Sequence, residues 1–167
     1  EELLKAEEEL MNVPAHDCKG SKFGHRAEPR RLFYSALFGG YDLDQVEAML
    51  FEAADLVYRF IFVEADYTFQ GSYRLRSLPA LLEDGGRLSR YREKVVVHPY
   101  VMPEPERCPE HTWLCEGRQR GAILRTAISA GLTRGRDVLI LADSDELLSR
   151  MALNFLSTCE TGDKPMV

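Results

Sequence analysis

Four short apolar runs, each followed within two residues by a polar residue or a glycine, constrain the fold of this chain more than any other feature. They occupy residues 32–38, 60–63, 95–97 and 138–141. Strands that are apolar on both faces are typical of a parallel sheet covered by helices on both sides. The sequence therefore predicts an α/β fold with a mainly parallel sheet flanked by helices.

Helical patterns separate these runs. After the first run, apolar residues recur at intervals of three and four, and Asp42 or Asp44 can cap the helix that this spacing predicts. Its apolar positions are Val46, Met49, Leu50, Ala53, Ala54 and Val57. A short helix is predicted around residues 78–82, and another is expected to begin at Leu147.

A longer helix is predicted over residues 112–130, after a loop at 99–112 that is rich in Pro and Glu. Trp113 opens this helix and is interpreted first as a core anchor, and only second as a platform for a sugar ring. The buried face of the helix is predicted to carry Leu124, Ala127 and Ile128.

The chain divides into two parts in this interpretation. Residues 1–29 are predicted to form an acidic helix over 1–11 followed by a linker that contains Pro and Gly, and residues 30–167 form the α/β domain. Because the sequence starts without Met and stops soon after a helical pattern, we expect it to be the N-terminal part of a longer catalytic domain.

Charge and motif content argue against several classes of protein. The net charge of −6 argues against a nucleic-acid partner. The sequence contains no GxGxxG, Walker A, GxSxG or HExxH motif, which argues against dehydrogenases, P-loop NTPases, serine hydrolases and zincins. Four widely spaced cysteines do not predict a zinc site, and either free thiols or one or two disulfides fit them.

The strongest local signal follows the fourth apolar run, where residues 143–146 carry three carboxylates in four positions. Such charges repel one another unless a positive group neutralises them. Mg²⁺ or Mn²⁺ does this with one or two carboxylates, together with water and substrate phosphate oxygens, so Asp143 and Asp145 are candidate ligands. The alternative is the acidic first turn of the next helix.

Other candidates also follow apolar runs, where α/β sheets bind ligands. Glu64 could accept hydrogen bonds from a base or ribose, or be a solvated strand end. Arg118 and Arg120 could donate to a diphosphate, or lie on an exposed helix face. Tyr67 and Phe69 could stack on a base, or pack within their loop.

Six segments follow one another in a characteristic order: YDLD at 41–44 followed by Val46 and Glu47, RFIFVEA at 59–65, TFxG at 68–71, KVVV at 94–97, WxxExxQR at 113–120 and DVLILADSDE at 137–146. In this order they resemble glycosyltransferase family 17, the family of β-1,4-mannosyl-glycoprotein 4-β-N-acetylglucosaminyltransferase. One departure is that Tyr41 and Asp42 stand where family members tend to have Asn and Glu.

The resemblance implies a GT-A-like, Rossmann-like fold for nucleotide-diphospho-sugars, a UDP-GlcNAc donor, an N-glycan-type acceptor, Mn²⁺ or Mg²⁺, and inverting transfer. It implies metal binding by Asp143 and Asp145. The residues that it implies for nucleotide-sugar binding are Glu64, Thr68, Phe69, Gly71, Arg120 and Asp143. The general base is expected outside this chain, so no catalytic residue is assigned.

Family members from animals are type II membrane proteins with a catalytic domain in the Golgi lumen, so the same location is expected here, with membrane attachment through a segment absent from this chain. Two alternatives stay open. One is a truncated or degenerate relative that binds sugar nucleotide without transfer. The other is a Mg²⁺-dependent phosphohydrolase or nucleotidyl transferase that uses Asp143 and Asp145, with Asp42 and Asp44 as further acidic candidates.

Overall fold

The computed structural model describes residues 18, 24–68, 71–102 and 113–160, and the structural statements below concern these residues. Their sheet has four strands, all parallel, in the order β3-β2-β1-β4. The strands are β1 (Arg31–Leu37), β2 (Arg59–Ala65), β3 (Val95–Tyr100) and β4 (Asp137–Leu141). The predicted Rossmann-like α/β fold is confirmed.

Helices cover both faces of this sheet. The helices are α1 (Leu43–Ala53), α2 (Leu78–Leu82), a 3₁₀ helix (Ser89–Lys94), α3 (Leu114–Ser129) and α4 (Arg150–Thr158). Helix α3 packs on one face, where Ile123 and Ala127 join Phe33 and Ile61 in an apolar cluster. The other helices contribute to a larger cluster on the opposite face. Because β1 and β2 are buried on both faces, their sequences read as continuous apolar runs.

Strand β3 is longer than predicted. It continues through His98 and Pro99 to Tyr100, where the sequence pattern predicted a loop from residue 99. In the described part of the chain β3 lies at the edge of the sheet, with β2 as its one neighbour. A proline is tolerated there because one side of an edge strand makes no ladder hydrogen bonds.

The predicted buried face of α3 is wrong at two of its three positions. Ala127 is buried, but Leu124 and Ile128 are exposed. The residues that α3 does bury are Cys115, Gln119, Ala122, Ile123, Thr126 and Ala127. Small and polar side chains dominate this face, so hydrophobic periodicity could not identify it.

The last helix also begins later than predicted, at Arg150 instead of Leu147. Its N-cap is Ser149, whose Oγ accepts a hydrogen bond from the Ala152 N–H at 3.2 Å. The acidic residues 143–146 therefore precede the helix and do not form its first turn. Their interpretation as an acidic helix N-terminus is wrong.

Part of the segment predicted as a linker is attached to the domain. Cys18 forms a disulfide with Cys159 at the end of α4, with a Cα–Cα distance of 6.0 Å. The Arg26 N–H donates to the Thr158 carbonyl at 2.9 Å. Cys115 is also disulfide-bonded. The helix predicted over 1–11 lies outside the described residues. None of the described helices combines the length and the apolar composition that a membrane span requires.

Candidate functional site

A cleft of about 330 Å³ opens at the carboxyl ends of β1 and β4. Strand order reverses between these two strands, and such a switch point is where parallel α/β sheets bind their ligands. Residues of four segments line the cleft: Leu37, Phe38, Gly39, Tyr41, Asp42 and Gln45; Tyr67, Thr68 and Arg74; Trp113, Glu116, Gln119 and Arg120; Asp143, Ser144 and Asp145.

The loop after β1 lines the cleft, and Asp42 stabilises the conformation of this loop. Both carboxylate oxygens of this buried residue accept the Gly39 N–H, at 3.0 and 3.2 Å. Gly40 has a φ of +85°, a conformation that favours glycine. Asp42 thus occupies the N-cap position of α1 without the predicted side-chain cap bond. Asp44, the other predicted cap, binds Arg87 at 2.6 Å.

The acidic loop after β4 is a closed turn that the Tyr34 side chain of β1 holds in place. The Glu146 N–H donates to the Asp143 carbonyl, and the Asp143 N–H donates to Glu146 Oε2, each at 3.0 Å. The buried Tyr34 hydroxyl donates to the Glu146 carbonyl at 2.7 Å and accepts the Leu148 N–H at 3.0 Å. Burial raises the pKa of Tyr34. This anchoring leaves the Asp143 and Asp145 side chains exposed at the cleft.

Arg120 supplies a positive charge to this loop. Its Nε donates to Glu116 Oε1 at 2.7 Å, and its Nη2 donates to Asp143 Oδ1. Burial alone would lower the pKa of Arg120, but its hydrogen bonds to Glu116 and Asp143 outweigh burial and raise that pKa above its ordinary value. The neutralising charge that the acidic cluster requires is therefore provided in part by the protein.

The donor set at this loop suits a metal that needs few protein ligands. Among the described residues, no group of three His, Cys, Asp or Glu side chains could hold a metal ion. Asp143 and Asp145 both line the cleft, however. Mg²⁺ and Mn²⁺ bind through one or two carboxylates and complete their shell with water and phosphate oxygens, so two acidic side chains at a cleft with room for a phosphate-bearing ligand fit such an ion.

Glu64, a predicted nucleotide contact, has a structural role. Its fully buried carboxylate accepts the backbone N–H groups of Ser77 at 2.7 Å and Leu78 at 3.1 Å. These bonds fix the start of α2, and Glu64 is not among the described residues that line the cleft. Sequence could indicate a polar strand end here, but not that α2 would return to it.

The loop after β2 brings Thr68 to the cleft. Gly71, with a φ of +82°, closes the loop by donating its N–H to the Thr68 carbonyl at 3.0 Å. Gly71 therefore shapes the loop without lining the cleft. Phe69, which was also predicted as a contact, lies outside the described residues. Arg118 is exposed on α3 and does not line the described cleft.

Arg74 is a cleft residue that no sequence pattern predicted. Its Nε donates to the Ala65 carbonyl at 2.9 Å, and its Nη2 donates to the Phe38 carbonyl at 2.5 Å. It thereby joins the ends of β1 and β2 and brings a second guanidinium group into the cleft. The available signal was its place in the polar stretch after the second apolar run, three residues beyond Gly71.

Trp113 was predicted as a core anchor, and this prediction is wrong. Its side chain is 81% exposed and lines the cleft. Gln119, which belongs to the same sequence motif, lines the cleft from the buried face of α3. Both residues therefore belong to the candidate site.

The fold and the cleft together define a Rossmann-like α/β domain whose binding site combines carboxylates with guanidinium groups, as suits a phosphate-bearing ligand. The sequence profile of glycosyltransferase family 17 matches residues 6–166. The chain therefore belongs to glycosyltransferase family 17. No curated protein and no solved structure gives a significant match to it.

Proposed function

We propose that the cleft binds UDP-GlcNAc, and that the chain belongs to a metal-dependent, inverting transferase that moves GlcNAc to a mannose of an N-glycan-type acceptor. The observation that carries this proposal is the convergence of Asp143, Asp145 and Arg120 with Arg74 in one cleft at the strand switch point. Diphosphates bind well where a divalent cation and guanidinium donors lie close together, and this cleft combines two guanidinium groups with two carboxylates that would hold such a cation. The choice of UDP-GlcNAc and of the acceptor rests on the family resemblance.

The diphosphate and the nucleoside of the donor each have residues that suit them. Asp143 and Asp145 would hold Mn²⁺ or Mg²⁺, which when bound supplies Lewis acidity for the departing diphosphate. Arg120 is placed to donate hydrogen bonds to phosphate oxygens beside that ion. Thr68 and Tyr67, on the loop after β2, offer a hydroxyl group and an aromatic ring to the nucleoside.

The cysteine chemistry supports a lumenal location. Cys18 and Cys159 form a disulfide, and Cys115 is disulfide-bonded too. Disulfides persist in oxidising compartments and are rare in the cytosol. The Golgi lumen, with attachment to the membrane through a segment outside this chain, is therefore the location that we propose.

The phosphohydrolase alternative gains no support from the acidic residues after β1. The Asp42 carboxylate is engaged by the Gly39 N–H, and Asp44 pairs with Arg87 and does not line the described cleft.

The alternative of a relative that binds donor without transfer predicts the same cleft. It differs in showing no turnover when donor and acceptor are both supplied.

Isothermal titration calorimetry with UDP-GlcNAc and UDP, with Mn²⁺ or with chelator, tests the donor site. We expect binding that depends on Mn²⁺ and that the Asp143→Ala/Asp145→Ala variant loses. The matched control is Glu83→Ala/Asp84→Ala, which removes two exposed carboxylates from the end of α2 and should bind donor normally. A folded wild-type chain that binds neither nucleotide under any condition would refute the proposal.

A further inference from the structure

The first two turns of α3 present a row of side chains to the cleft. Trp113, Glu116 and Gln119 follow one another at intervals of three residues, so they lie along one side of the helix. All three line the cleft. The metal and diphosphate assignments above use none of them directly. Their combined chemistry is an aromatic ring, a carboxylate acceptor and an amide donor.

Gln119 points to a bound ligand because its amide nitrogen lacks a partner in the described part of the chain. The residue is 2% exposed, and among the described residues its Nε2 atom has no hydrogen-bond partner. Two other buried polar side chains of the domain are satisfied: the Ser35 hydroxyl donates to the Ile140 carbonyl at 2.6 Å, and the Thr126 hydroxyl donates to the Ala122 carbonyl at 2.9 Å. An orphaned buried amide is unfavourable, and an apolar side chain would pack here without that cost. A ligand oxygen in the cleft would satisfy it.

Trp113 gives a second, independent indication. It precedes α3 at the N-cap position with four fifths of its surface exposed, at the rim of a cleft that is otherwise rich in charge. A tryptophan ring carries a large apolar face, and exposing that face to water is unfavourable. A ligand with a flat apolar face would cover it.

We propose that Trp113, Glu116 and Gln119 form a subsite for a pyranose ring. A sugar ring has an apolar face of C–H groups for the tryptophan ring, and hydroxyl groups that both donate and accept hydrogen bonds. The Gln119 amide donates to one such oxygen, and the Glu116 carboxylate accepts from another. Phosphate groups have Arg74 and Arg120 in the same cleft and do not need the neutral amide.

This subsite rests on the proposed function, because it assumes that a sugar nucleotide or a glycan enters the cleft. The ring could be the sugar of the donor or a sugar of the acceptor, and titration with three ligands separates these sources. The ligands are UDP, UDP-GlcNAc and a mannose-terminated N-glycan oligosaccharide, each in the presence of Mn²⁺.

The variants are Trp113→Ala and Gln119→Met, the second of which keeps the size of the side chain and removes the orphaned amide. We expect unchanged affinity for UDP and a loss of about five- to tenfold for a sugar-bearing ligand, as for one hydrogen bond or one aromatic contact. A loss confined to UDP-GlcNAc assigns the subsite to the donor sugar, and one confined to the oligosaccharide assigns it to the acceptor.

Two controls test the specificity of these effects. Leu124→Ala removes an exposed apolar side chain of α3 outside the described cleft, and Thr126→Val removes a buried polar group from the same helix face. Both should bind all ligands as the wild type does. The melting temperature of Gln119→Met should equal or exceed that of the wild type, which excludes loss of folding.

Unchanged affinity of both variants for the sugar-bearing ligands overturns the subsite, and so does an equal loss of affinity for UDP and UDP-GlcNAc. Failure of the proposed function looks different, because the wild type then binds neither nucleotide. The oligosaccharide titration still tests the subsite in that case, and absence of oligosaccharide binding then overturns it too.

Discussion

Replacing Arg120 by glutamine should strengthen metal binding while it weakens nucleotide binding. Arg120 now donates to Asp143, so an ion that binds Asp143 must displace this guanidinium group. The Arg120 side chain is 32% exposed and that of Asp143 is 53% exposed, which makes their contact a surface ion pair worth at most about 1 kcal/mol. Removing the competitor should raise Mn²⁺ affinity by a factor of up to about five.

The same variant should bind UDP more weakly. After displacement from Asp143, Arg120 keeps its bond to Glu116 and can donate its other N–H groups to the diphosphate. A hydrogen bond to a charged group contributes about 1.5–3 kcal/mol, so UDP affinity at saturating Mn²⁺ should fall roughly 10- to 100-fold.

Electron paramagnetic resonance titration gives the Mn²⁺ affinity of the free protein, and calorimetry gives the UDP affinity. Arg118→Gln is the matched control, because it makes the same charge change on an exposed position of the same helix outside the described cleft. If Arg120→Gln binds Mn²⁺ no more tightly than Arg118→Gln, competition for Asp143 is refuted. An unchanged UDP affinity would refute the phosphate role.

Three further substitutions test other parts of the structure. Glu64→Ala should lower the free energy of unfolding by about 2–4 kcal/mol because it orphans two backbone N–H groups, and Glu64→Gln should lower it less. Wild-type stability of Glu64→Ala in chemical denaturation would contradict the structural role. Tyr34→Phe should lower the free energy of unfolding by about 1–3 kcal/mol and weaken Mn²⁺ binding, although Tyr34 does not line the described cleft. Unchanged metal affinity would show that the acidic loop does not need the hydrogen bonds of Tyr34. Burial tends to raise the pKa of Asp137, but its hydrogen bonds to Arg31 and to a backbone N–H outweigh burial and lower that pKa. The Asp137 carboxylate therefore stabilises the folded state above about pH 4, and this stabilisation is lost as the pH falls through the lower pKa of the folded state. Denaturant unfolding between pH 2 and 5 should show a shallower acid dependence for Asp137→Asn than for the wild type, and identical profiles would contradict this.

The sheet could be predicted from the sequence because its central strands are buried on both faces. A short, continuous apolar run is typical of such a strand, and each of the four runs forms a strand, although β3 and β4 are only partly buried. The length of β3 could not be predicted in the same way. Pro99 normally ends a strand, and only the position of β3 at the edge of the described sheet makes it acceptable.

Helix α3 shows where periodicity fails. Its buried face includes Gln119 and Thr126, while its exposed face carries Leu124 and Ile128, so hydropathy indicates the wrong side. The two polar residues are there for different reasons. Thr126 satisfies its hydroxyl within the helix, whereas Gln119 faces a cleft whose existence depends on the whole fold.

The sequence predicts those residues of the candidate site that directly follow the carboxyl ends of strands. Asp143, Asp145 and Thr68 follow strands and do line the cleft, as the position of ligand sites in parallel sheets leads one to expect. Glu64 also follows a strand, but α2 returns to take its carboxylate. Arg74 reaches the cleft through bonds to two strands, a long-range arrangement that the sequence does not encode locally.

A crystal structure of the chain grown with UDP-GlcNAc and Mn²⁺ tests the central claim most directly. We predict the ion on Asp143 and Asp145, the diphosphate beside it, and the Arg120 guanidinium moved from Asp143 to a phosphate oxygen. A nucleotide bound away from this cleft, or Arg120 still paired with Asp143 beside a bound diphosphate, would contradict the account.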